Sequence, residues 1–349
     1  MDSIKEKIPV AVLGATGSVG QKFIELLANH PWFEINELCA SDKSAGKKYQ
    51  ESVDWFLSSP LPDSVKNIPV NECKPILKSK VIFSGLDSSV AGNIETKFAK
   101  SGYIVISNSK NHRMDEDVPL LIPEVNPDHL SIIKRQNYGD GCIVTNPNCS
   151  VIGLAIALKP LADKYGIESI NVSTMQAISG AGHPRVVKLD IEDNVIPLIK
   201  GEEEKVETEP LKILGNLKNE NLEFDDFKIS AQCNRVNITD GHTECVQISL
   251  KKKASKQEII DAWKSFSSLP QELKLPSAPL KPIQYLDQEN LPQPKYQRNS
   301  GKGMTVSIGR LREDSIFDYK FVVLSHNTVR GAAGGAILCA ELMNAQGII

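Results

Sequence analysis

The chain has 349 residues, of which 43 are acidic and 40 basic, and its formal net charge is −3. This length exceeds one compact core in most architectures and predicts two domains. The charges nearly balance and no basic run is longer than 251–253, so the sequence shows no basic surface of the kind that binds nucleic acid. No apolar stretch reaches the length of a membrane span. We therefore expect neither a nucleic-acid partner nor a membrane partner.

The seven cysteines are scattered along the chain. They form no C-x-x-C pair and lack the histidine spacing of a zinc site, so neither a structural metal nor a disulfide framework is expected. This pattern favours a reducing, cytoplasmic location.

Residues 8–108 alternate short apolar runs with helical patterns. The runs at 9–13, 35–40, 81–84 and 103–106 are separated by helical stretches such as 19–29 and 90–100. Continuous apolar strands between helices indicate a parallel sheet that is covered on both faces. The sequence therefore predicts an α/β, doubly wound, Rossmann-type domain.

A glycine-rich loop, G-A-T-G-S-V-G, follows the first predicted strand at 14–20. Glycine lets the backbone approach a phosphate closely, and the start of the next helix supplies N–H donors to a pyrophosphate. The spacing is G-x-x-G-x-x-G rather than the stricter G-x-G-x-x-G. Its place between the first strand and helix favours a dinucleotide site over a merely tight turn.

The end of the second predicted strand bears on the choice between NAD and NADP. An acid there would bind the ribose 2′-hydroxyl of NAD, whereas hydroxyl and cationic groups suit the 2′-phosphate of NADP. Ser41 occupies the expected acid position, and Ser44, Lys43 and Lys47 can satisfy a phosphate. Asp42 argues the other way, and the lysines could belong to a solvated loop. The sequence favours NADP.

A single cysteine stands where a strand-like run at 143–146 turns into a helix. Pro147 prevents a helix through the turn, Asn148 can cap the helix that follows, and Cys149 then lies in the first turn. Free N–H groups and the positive end of the helix dipole favour a thiolate there, which indicates a nucleophile. A small apolar residue packed at a helix start is the alternative.

After residue 149 the predicted strands alternate apolar and polar positions, which indicates an α+β domain with a mainly antiparallel sheet. Six prolines between 269 and 295 exclude a long helix or a central strand there, and predict an ordered excursion over the surface or onto a partner subunit. Residues 329–346 predict a closely packed helix. We expect a dinucleotide-binding domain at 1–148, completed by the helix 327–349, and a second domain at 149–326.

A thiolate-based reaction also needs a group that gives and accepts a proton. His242 follows a strand and Gly241, lies in a predicted loop, and titrates near neutral pH. Taken alone, His242 fits a structural role better than a catalytic one.

Together these motifs resemble the aspartate-β-semialdehyde dehydrogenase family, particularly its archaeal and fungal type, over essentially the whole chain. The matching motifs are G-A-T-G-S-V-G at 14–20, S-N-S-K-N-H-R-M at 107–114, T-N-P-N-C-S at 145–150, Q-A-I-S-G-A-G at 176–182, E-E-E-K at 202–205, R-V-N-I-T-D-G-H at 235–242 and H-N-T-V-R-G-A-A-G-G at 326–335. The resemblance implies NADPH-dependent reduction of L-aspartyl 4-phosphate to L-aspartate 4-semialdehyde and phosphate, on the branch to lysine, threonine and methionine. It also implies a catalytic and dimerisation role for the second domain, hence a homodimer or homotetramer.

The resemblance gives each matching residue a role. Cys149 would carry an acyl-thioester, His242 would act as general acid and base, and Gln176 would orient the substrate. Arg235 would bind the substrate carboxylate, Glu202 or, less favoured, Glu203 the ammonium group, and Lys205 with Arg113 the phosphate. The expected cofactor-binding set is Gly14, Thr16, Gly17, Ser18, Val19, Ser41, Ser44, Ser84, Ser179, Gly180 and Asn327.

Other functions are compatible with part of this pattern. Malonyl-CoA reductase has the same scaffold, cysteine and cofactor, but it has no amino group to recognise, so the acidic run 202–204 and Arg235 argue against it. N-acetyl-γ-glutamyl-phosphate reductase acts on an acetylated nitrogen, which should not call for a carboxylate. In a non-enzymatic NADP-binding regulator the thiol would be incidental.

Overall fold

The computed structural model of the chain describes residues 6–182, 190–218 and 221–349. The chain forms two compact units. The first contains the described residues up to Leu121, together with Leu130–Asn146 and Ala336–Ile349, and the second contains Ile122–His129 and Pro147–Gly335. The sequence placed the corresponding changes after residues 148 and 326.

The first unit is built on a six-stranded sheet in which every pairing is parallel. Its strands are β1 (Ile8–Leu13), β2 (Phe33–Ala40), β3 (Val70–Glu72), β4 (Val81–Ser84), β5 (Ile104–Ser107) and β6 (Cys142–Thr145), in the order β3-β2-β1-β4-β5-β6. Its helices include α1 (Ser18–Leu27), α2 (Tyr49–Ser52), α3 (Asp63–Lys66) and α4 (Ser88–Lys100). The predicted doubly wound domain is confirmed.

Strand burial explains this arrangement. All four residues of β4 and of β6 are buried, as expected where helices cover both faces of a parallel sheet. Leu13, Ile82 and Val105 form part of one buried cluster with Phe98 of α4. Because all the strands run parallel, their carboxyl ends lie at one edge of the sheet, and the 14–20 loop follows β1 at that edge.

The second unit contains a mixed six-stranded sheet. Its further elements are α5 (Cys149–Tyr165), β7 (Ile167–Gln176), α6 (Glu202–Ile213), β8 (Asn216–Lys218), β9 (Asn221–Glu223), β10 (Lys228–Arg235), β11 (His242–Leu250), α7 (Lys256–Lys264), α8 (Leu269–Glu272), β12 (Ile283–Leu286), α9 (Pro294–Gln297), β13 (Val306–Glu313) and β14 (Tyr319–Ser325). In the sheet order β10-β7-β11-β14-β13-β12 the three inner pairings are antiparallel and the two outer pairings parallel. β8 and β9 form a separate hairpin. The prediction of a mainly antiparallel sheet is confirmed.

Helix α5 is the central helix of this unit. It packs against β7, β11, β13 and β14, and Gly153 permits close approach because a Cβ there would lie 2.4 Å from Oγ of Ser325. Buried residues alternate with half-buried ones along β11, beginning with buried His242. One face of the sheet thus packs on α5 and carries His242.

The C-terminal region differs from the continuous helix predicted at 329–346. Val329–Ala333 is a π-helical turn that breaks at Ala332, and the regular helix α10 runs from Gly334 to Ala345. In the proline-rich region, β12 is an edge strand, as the prolines require. Within the described ranges, no helix is both long and apolar enough to cross a bilayer.

Candidate active site

Cys149 is the first residue of α5, where three bonds hold the preceding Asn148. The Oδ1 atom of Asn148 accepts the N–H of Ser150 at 3.0 Å, which caps the helix. Its own backbone N–H donates to Glu209 at 2.7 Å, and its Nδ2 donates to Glu202 at 2.8 Å. Two glutamates of α6 therefore fix the turn that presents the thiol.

The Sγ atom of Cys149 lies 3.2 Å from Nε2 of His242. The backbone N–H of Ala177 donates to Nδ1 of His242 at 3.0 Å, so Nδ1 is an acceptor and a neutral ring carries its proton on Nε2. Burial, together with Arg235 and His326, lowers the pKa of His242 to about 3. A neutral imidazole thus points an N–H at the sulfur, which favours the thiolate.

Arg235 ends β10 beside this pair and is 6% exposed. Its Nη1 donates to the carbonyl of Ala177 at 2.8 Å. Burial lowers the pKa of Arg235, while Cys149 and Glu202 act in the opposite direction. A buried cation next to the nucleophile can bind a carboxylate with two parallel hydrogen bonds.

Glu202 lies at the start of α6 and is 8% exposed. One of its oxygens accepts from Asn148 and, at 3.4 Å, from Nε2 of Gln176; the other accepts from Nζ of Lys205 at 2.5 Å. Burial raises the pKa of Glu202, but Lys205, Asn148 and Gln176 outweigh it and hold the pKa below its usual value. The carboxylate is therefore charged.

Glu203 faces a different element. Its Oε1 accepts the backbone N–H of Cys233 at 3.1 Å, and Glu207 in the same way accepts the N–H of Ala231 at 2.9 Å. Both residues belong to the edge strand β10, whose free N–H groups these carboxylates satisfy. Of the two glutamates left open by the sequence, only Glu202 contacts the residues around Cys149.

Three residues expected near the cofactor border the catalytic pair in the same unit. Nδ2 of Asn327 donates to Oγ of Ser179 at 2.8 Å, and its Oδ1 accepts the N–H of Gly241 at 2.8 Å. A Cβ at Gly180 would lie 2.8 Å from Nη1 of Arg235 and 3.3 Å from Cε1 of His242. This stretch therefore packs directly on the two functional side chains.

The 14–20 loop has the geometry of a phosphate-binding turn. Gly14 has φ +72°, and a Cβ on Gly14 or on Gly20 would lie 2.7 or 2.1 Å from a backbone oxygen, so neither position accepts another residue. Gly17 precedes α1 without a capping side chain, which leaves the helix N-terminus open to an anion. Thr16, Ser18 and Val19 are half-buried. The loop fits a dinucleotide.

The residues after β2 fit a 2′-phosphate. Ser41 and Lys43 are exposed and Ser44 is half-buried, and neither Lys43 nor Lys47 has an acidic partner in the part of the chain that the structure describes. Ser84 differs from the other expected cofactor residues, because it is fully buried and its hydroxyl donates to Glu95 at 2.6 Å. The hydroxyl of Ser84 thus faces Glu95, and a place for Ser84 in the cofactor site stays a prediction.

The structure groups most of the predicted catalytic and substrate residues in the second unit: Cys149, Gln176, Glu202, Lys205, Arg235 and His242. Arg113 belongs to the first unit, is 7% exposed, and donates from Nη2 to the carbonyl of Asn108 at 2.9 Å. Among the described residues, no group of acidic, cysteine and histidine side chains could hold a metal ion.

Sequence reasoning missed two features of this site. Glu209 accepts the backbone N–H of Asn148 in the turn before Cys149. Glu209 lies seven residues after Glu202, on the same helix face, and this spacing is a signal that could have identified Glu209 from the sequence. Gly331 packs against Cys149, and a Cβ there would lie 2.8 Å from the Cβ of Cys149. No local sequence pattern predicts that contact, because the two residues are far apart in the chain.

Two family models match the chain. One, described as "Semialdehyde dehydrogenase, NAD binding domain", matches residues 9–133, and another, described as "Semialdehyde dehydrogenase, dimerisation domain", matches residues 158–330. An aspartate-semialdehyde dehydrogenase of Archaeoglobus fulgidus is 50% identical over 344 residues, covering 97% of this chain and 99% of the relative. The Candida albicans protein of the same name is 46% identical over 358 residues, covering 97% and 98%.

Solved structures agree with these relatives. The crystal structure of aspartate semialdehyde dehydrogenase with NADP from Candida albicans superposes with a TM-score of 0.91 at 44% identity, covering 99% of this chain and 100% of that chain. Aspartate semialdehyde dehydrogenase II from Vibrio cholerae, complexed with ASA, gives a TM-score of 0.78 at 25% identity, covering 98% and 99%. The resemblance stated from the motifs is confirmed.

Proposed function

Because the chain belongs to the aspartate-semialdehyde dehydrogenase family, we propose that it reduces L-aspartyl 4-phosphate to L-aspartate 4-semialdehyde and phosphate with NADPH. It is an NADP-dependent oxidoreductase of amino-acid biosynthesis, on the branch to lysine, threonine and methionine. The observation that carries the proposal is the 3.2 Å approach of Cys149 Sγ to His242 Nε2 beside charged Glu202 and Arg235.

The first step in this proposal is attack of the Cys149 thiolate on the carbonyl carbon of the acyl phosphate. A C–S bond forms, the bond from that carbon to the phosphate oxygen breaks, and phosphate leaves with the bonding electrons. Cys149 then carries an acyl-thioester. Asn148, held by Glu202 and Glu209, keeps the sulfur at the helix start where this attack begins.

The second step returns the enzyme to its starting state. When bound, NADPH supplies the hydride that adds to the thioester carbonyl carbon, which leaves a thiohemiacetal with a negatively charged oxygen. In this proposal the Nε2–H of His242 donates to that negative oxygen, and collapse of the anion breaks the C–S bond and releases the aldehyde. The sulfur leaves as the thiolate from which the cycle began, again facing Nε2–H.

In this proposal, substrate recognition rests on four charged side chains. The guanidinium of Arg235 suits the α-carboxylate, and the charged carboxylate of Glu202 suits the ammonium group. Lys205 and Arg113 supply positive charge for phosphate, as the family resemblance implies. Gln176, which donates to Glu202, would orient the substrate beside Cys149.

The proposal is tested by phosphate-dependent reduction of NADP with aspartate semialdehyde, compared with malonate and succinate semialdehydes. We expect aspartate semialdehyde to be strongly preferred. Cys149→Ser should abolish turnover while NADP binding, followed by fluorescence or calorimetry, stays intact. Equal turnover of malonate semialdehyde would contradict the proposed substrate, and turnover by Cys149→Ser would contradict the thioester.

The two neighbouring glutamates offer a matched pair of variants for ammonium recognition. Glu202→Gln should lower kcat/KM for aspartate semialdehyde by roughly 10- to 100-fold, because a charge-assisted contact is worth about 1.5–3 kcal/mol. Glu203→Gln, whose side chain contacts the backbone of β10, should change kcat/KM little. If the Glu203 variant lost more activity than the Glu202 variant, the assignment to Glu202 would be wrong.

Assembly and location complete the proposal. The second unit contains the region matched by a dimerisation domain, and the sheet face opposite α5 carries half-buried Ser173, Cys245 and Val322 in one row. This supports a homodimer that buries that face, with a homotetramer as a further assembly. We place the reaction in the cytoplasm, with cofactor binding in the first unit and catalysis in the second.

A further inference from the structure

The segment between β14 and α10 lies directly against the nucleophile. We call residues 326–331 the C-terminal strap. A Cβ at Gly331 would lie 2.8 Å from the Cβ, 2.9 Å from the Cα and 2.9 Å from the carbonyl oxygen of Cys149. All three atoms belong to the main chain of Cys149 or are its first side-chain atom, so the strap and the nucleophile cannot move independently.

The same strap also reaches the histidine side of the site. Asn327 accepts the N–H of Gly241, the residue before His242, at 2.8 Å. Its amide donates to Ser179, whose neighbour Gly180 packs on the imidazole. The strap therefore contacts the chain next to both members of the Cys149–His242 pair.

The backbone of the strap leads into a π turn that breaks at Ala332. The N–H of Gly331 donates to the carbonyl of His326 at 2.9 Å, and that of Ala333 to Thr328 at 3.3 Å, which are the wide bonds of a π turn. Such turns are rare and are frequent at functional sites. The strap is also fastened by a contact outside the turn.

That fastening is a buried ion pair. Arg330, 1% exposed, donates from Nη1 and Nη2 to the two carboxylate oxygens of Glu124 at 2.8 and 2.5 Å, and Glu124 is also 1% exposed. A forked pair of this kind fixes orientation as well as distance. Arg330 belongs to the strap and immediately precedes Gly331, so the ion pair is linked to Cys149 through the strap.

We propose that Glu124 and Arg330 are positioning residues that set the spacing of Cys149 and His242 by fastening the C-terminal strap. This inference rests on the function proposed above, because it assigns the spacing a role in that reaction. Loosening the pair should let Gly331 and Asn327 shift, and with them the sulfur and the imidazole. Small displacements of reacting groups are costly for the chemical step.

The test uses the full-length enzyme with Glu124→Gln, which keeps the shape of the side chain and removes its charge. We expect kcat to fall by roughly 10- to 100-fold with KM for aspartate semialdehyde changed less than about threefold. Alkylation of Cys149 by iodoacetamide, followed by peptide mass spectrometry from pH 5 to 9, should show a slower rate at neutral pH and a higher midpoint. A purely structural role would not move that midpoint.

A matched control is available in the first unit. His30 and Glu341 form another buried pair, 2.7 Å apart, and Glu341→Gln should leave kcat and the alkylation profile of Cys149 unchanged. If Glu124→Gln unfolds, the double variant Glu124→Leu with Arg330→Met removes both charges without leaving one unpaired, and should show the same kinetic loss.

The outcomes separate this inference from the proposed function. A folded variant with unchanged kcat and an unchanged alkylation profile would overturn the positioning role. Because alkylation uses no substrate, a shifted profile in Glu124→Gln would support the positioning role even if the wild-type enzyme failed to act on aspartate semialdehyde.

Discussion

Gly180 shows how little room the site leaves at the scale of one residue. A methyl group there would meet Nη1 of Arg235 at 2.8 Å, so the guanidinium would have to move and give up its bond to Ala177. We predict that Gly180→Ala raises KM for aspartate semialdehyde roughly tenfold, equivalent to about 1.4 kcal/mol of binding. Steady-state kinetics, with circular dichroism as a check on folding, measure this effect.

A glycine away from the site serves as the control for that variant. At Gly92, in α4, the three atoms nearest to an added Cβ all belong to the side chain of Asn111, at 3.0 Å and beyond. Gly92→Ala should leave KM unchanged. A normal KM for Gly180→Ala would mean that the Arg235 guanidinium can be displaced without loss, and would weigh against its role as the carboxylate clamp.

At the scale of single residues, the sequence predicted the side chains that react but missed those whose role comes from packing. Cys149 and His242 were found because a thiolate requires a helix start and a proton partner, and the structure places them 3.2 Å apart. Glu124 and Gly331 carry no chemical signature of their own. Their importance arises from contacts with residues distant in the chain, which motif spacing does not encode.

At the scale of the element, the N-terminus of α5 joins helix capping to catalysis. Asn148→Ser keeps an oxygen for the N–H of Ser150, so Asn148→Ala should be less stable than Asn148→Ser by about 1 kcal/mol. Both variants lose the amide bond to Glu202, so both should lower kcat. Urea unfolding and steady-state kinetics report the two effects separately.

The comparison between these variants decides which bond matters for which property. If Asn148→Ser were as unstable as Asn148→Ala, the capping bond would contribute nothing. If Asn148→Ser kept full kcat, the link to Glu202 would not be needed to place the thiol. The expected result is that Asn148→Ser is the more stable of the two variants and that both variants lose kcat.

The prediction of helices and strands was most accurate where the residue pattern allows only one kind of element. The parallel sheet followed from continuous apolar runs, and the prolines around β12 excluded a central strand there, although the edge strand itself was not predicted. The segment 329–333 was expected to be helical, since small and apolar residues there suit a helix. The structure forms a π turn instead, because Arg330 is turned inward to Glu124 and Gly331 must meet Cys149.

At the scale of the whole molecule, the two units draw on interleaved parts of the chain. The first unit regains the chain at Ala336, and α10 contributes Glu341 to the buried pair with His30. The second unit borrows Ile122–His129, which supplies Glu124 to the C-terminal strap. Cutting the chain near residue 147 would therefore remove a necessary part from each unit.

Overall stability should depend on pH through two buried groups of opposite effect. The pKa of His242 is lowered to about 3, so between about pH 3 and 6.5 the unfolded chain binds the extra proton and stability rises with pH. Burial raises the pKa of Glu244 well above 4.5, and neither of its oxygens has a hydrogen-bond partner among the described residues. Above pH 4.5 the folded chain therefore holds a proton that the unfolded chain has lost, and stability falls as pH rises.

A single variant isolates the second effect. Glu244→Gln cannot ionise, so its free energy of unfolding relative to the wild type should improve with rising pH, by up to about 1.4 kcal/mol per pH unit between pH 5 and the folded pKa of Glu244. Urea unfolding of both proteins at pH 5, 6.5 and 8 measures this difference, and the His242 contribution cancels because both proteins share it. Glu34→Gln, at an exposed position, should show no such trend. If the difference in unfolding free energy between Glu244→Gln and the wild type stayed constant from pH 5 to 8, the Glu244 carboxyl would ionise normally in the folded chain. The strand β11 would then accommodate a buried charge two residues after His242.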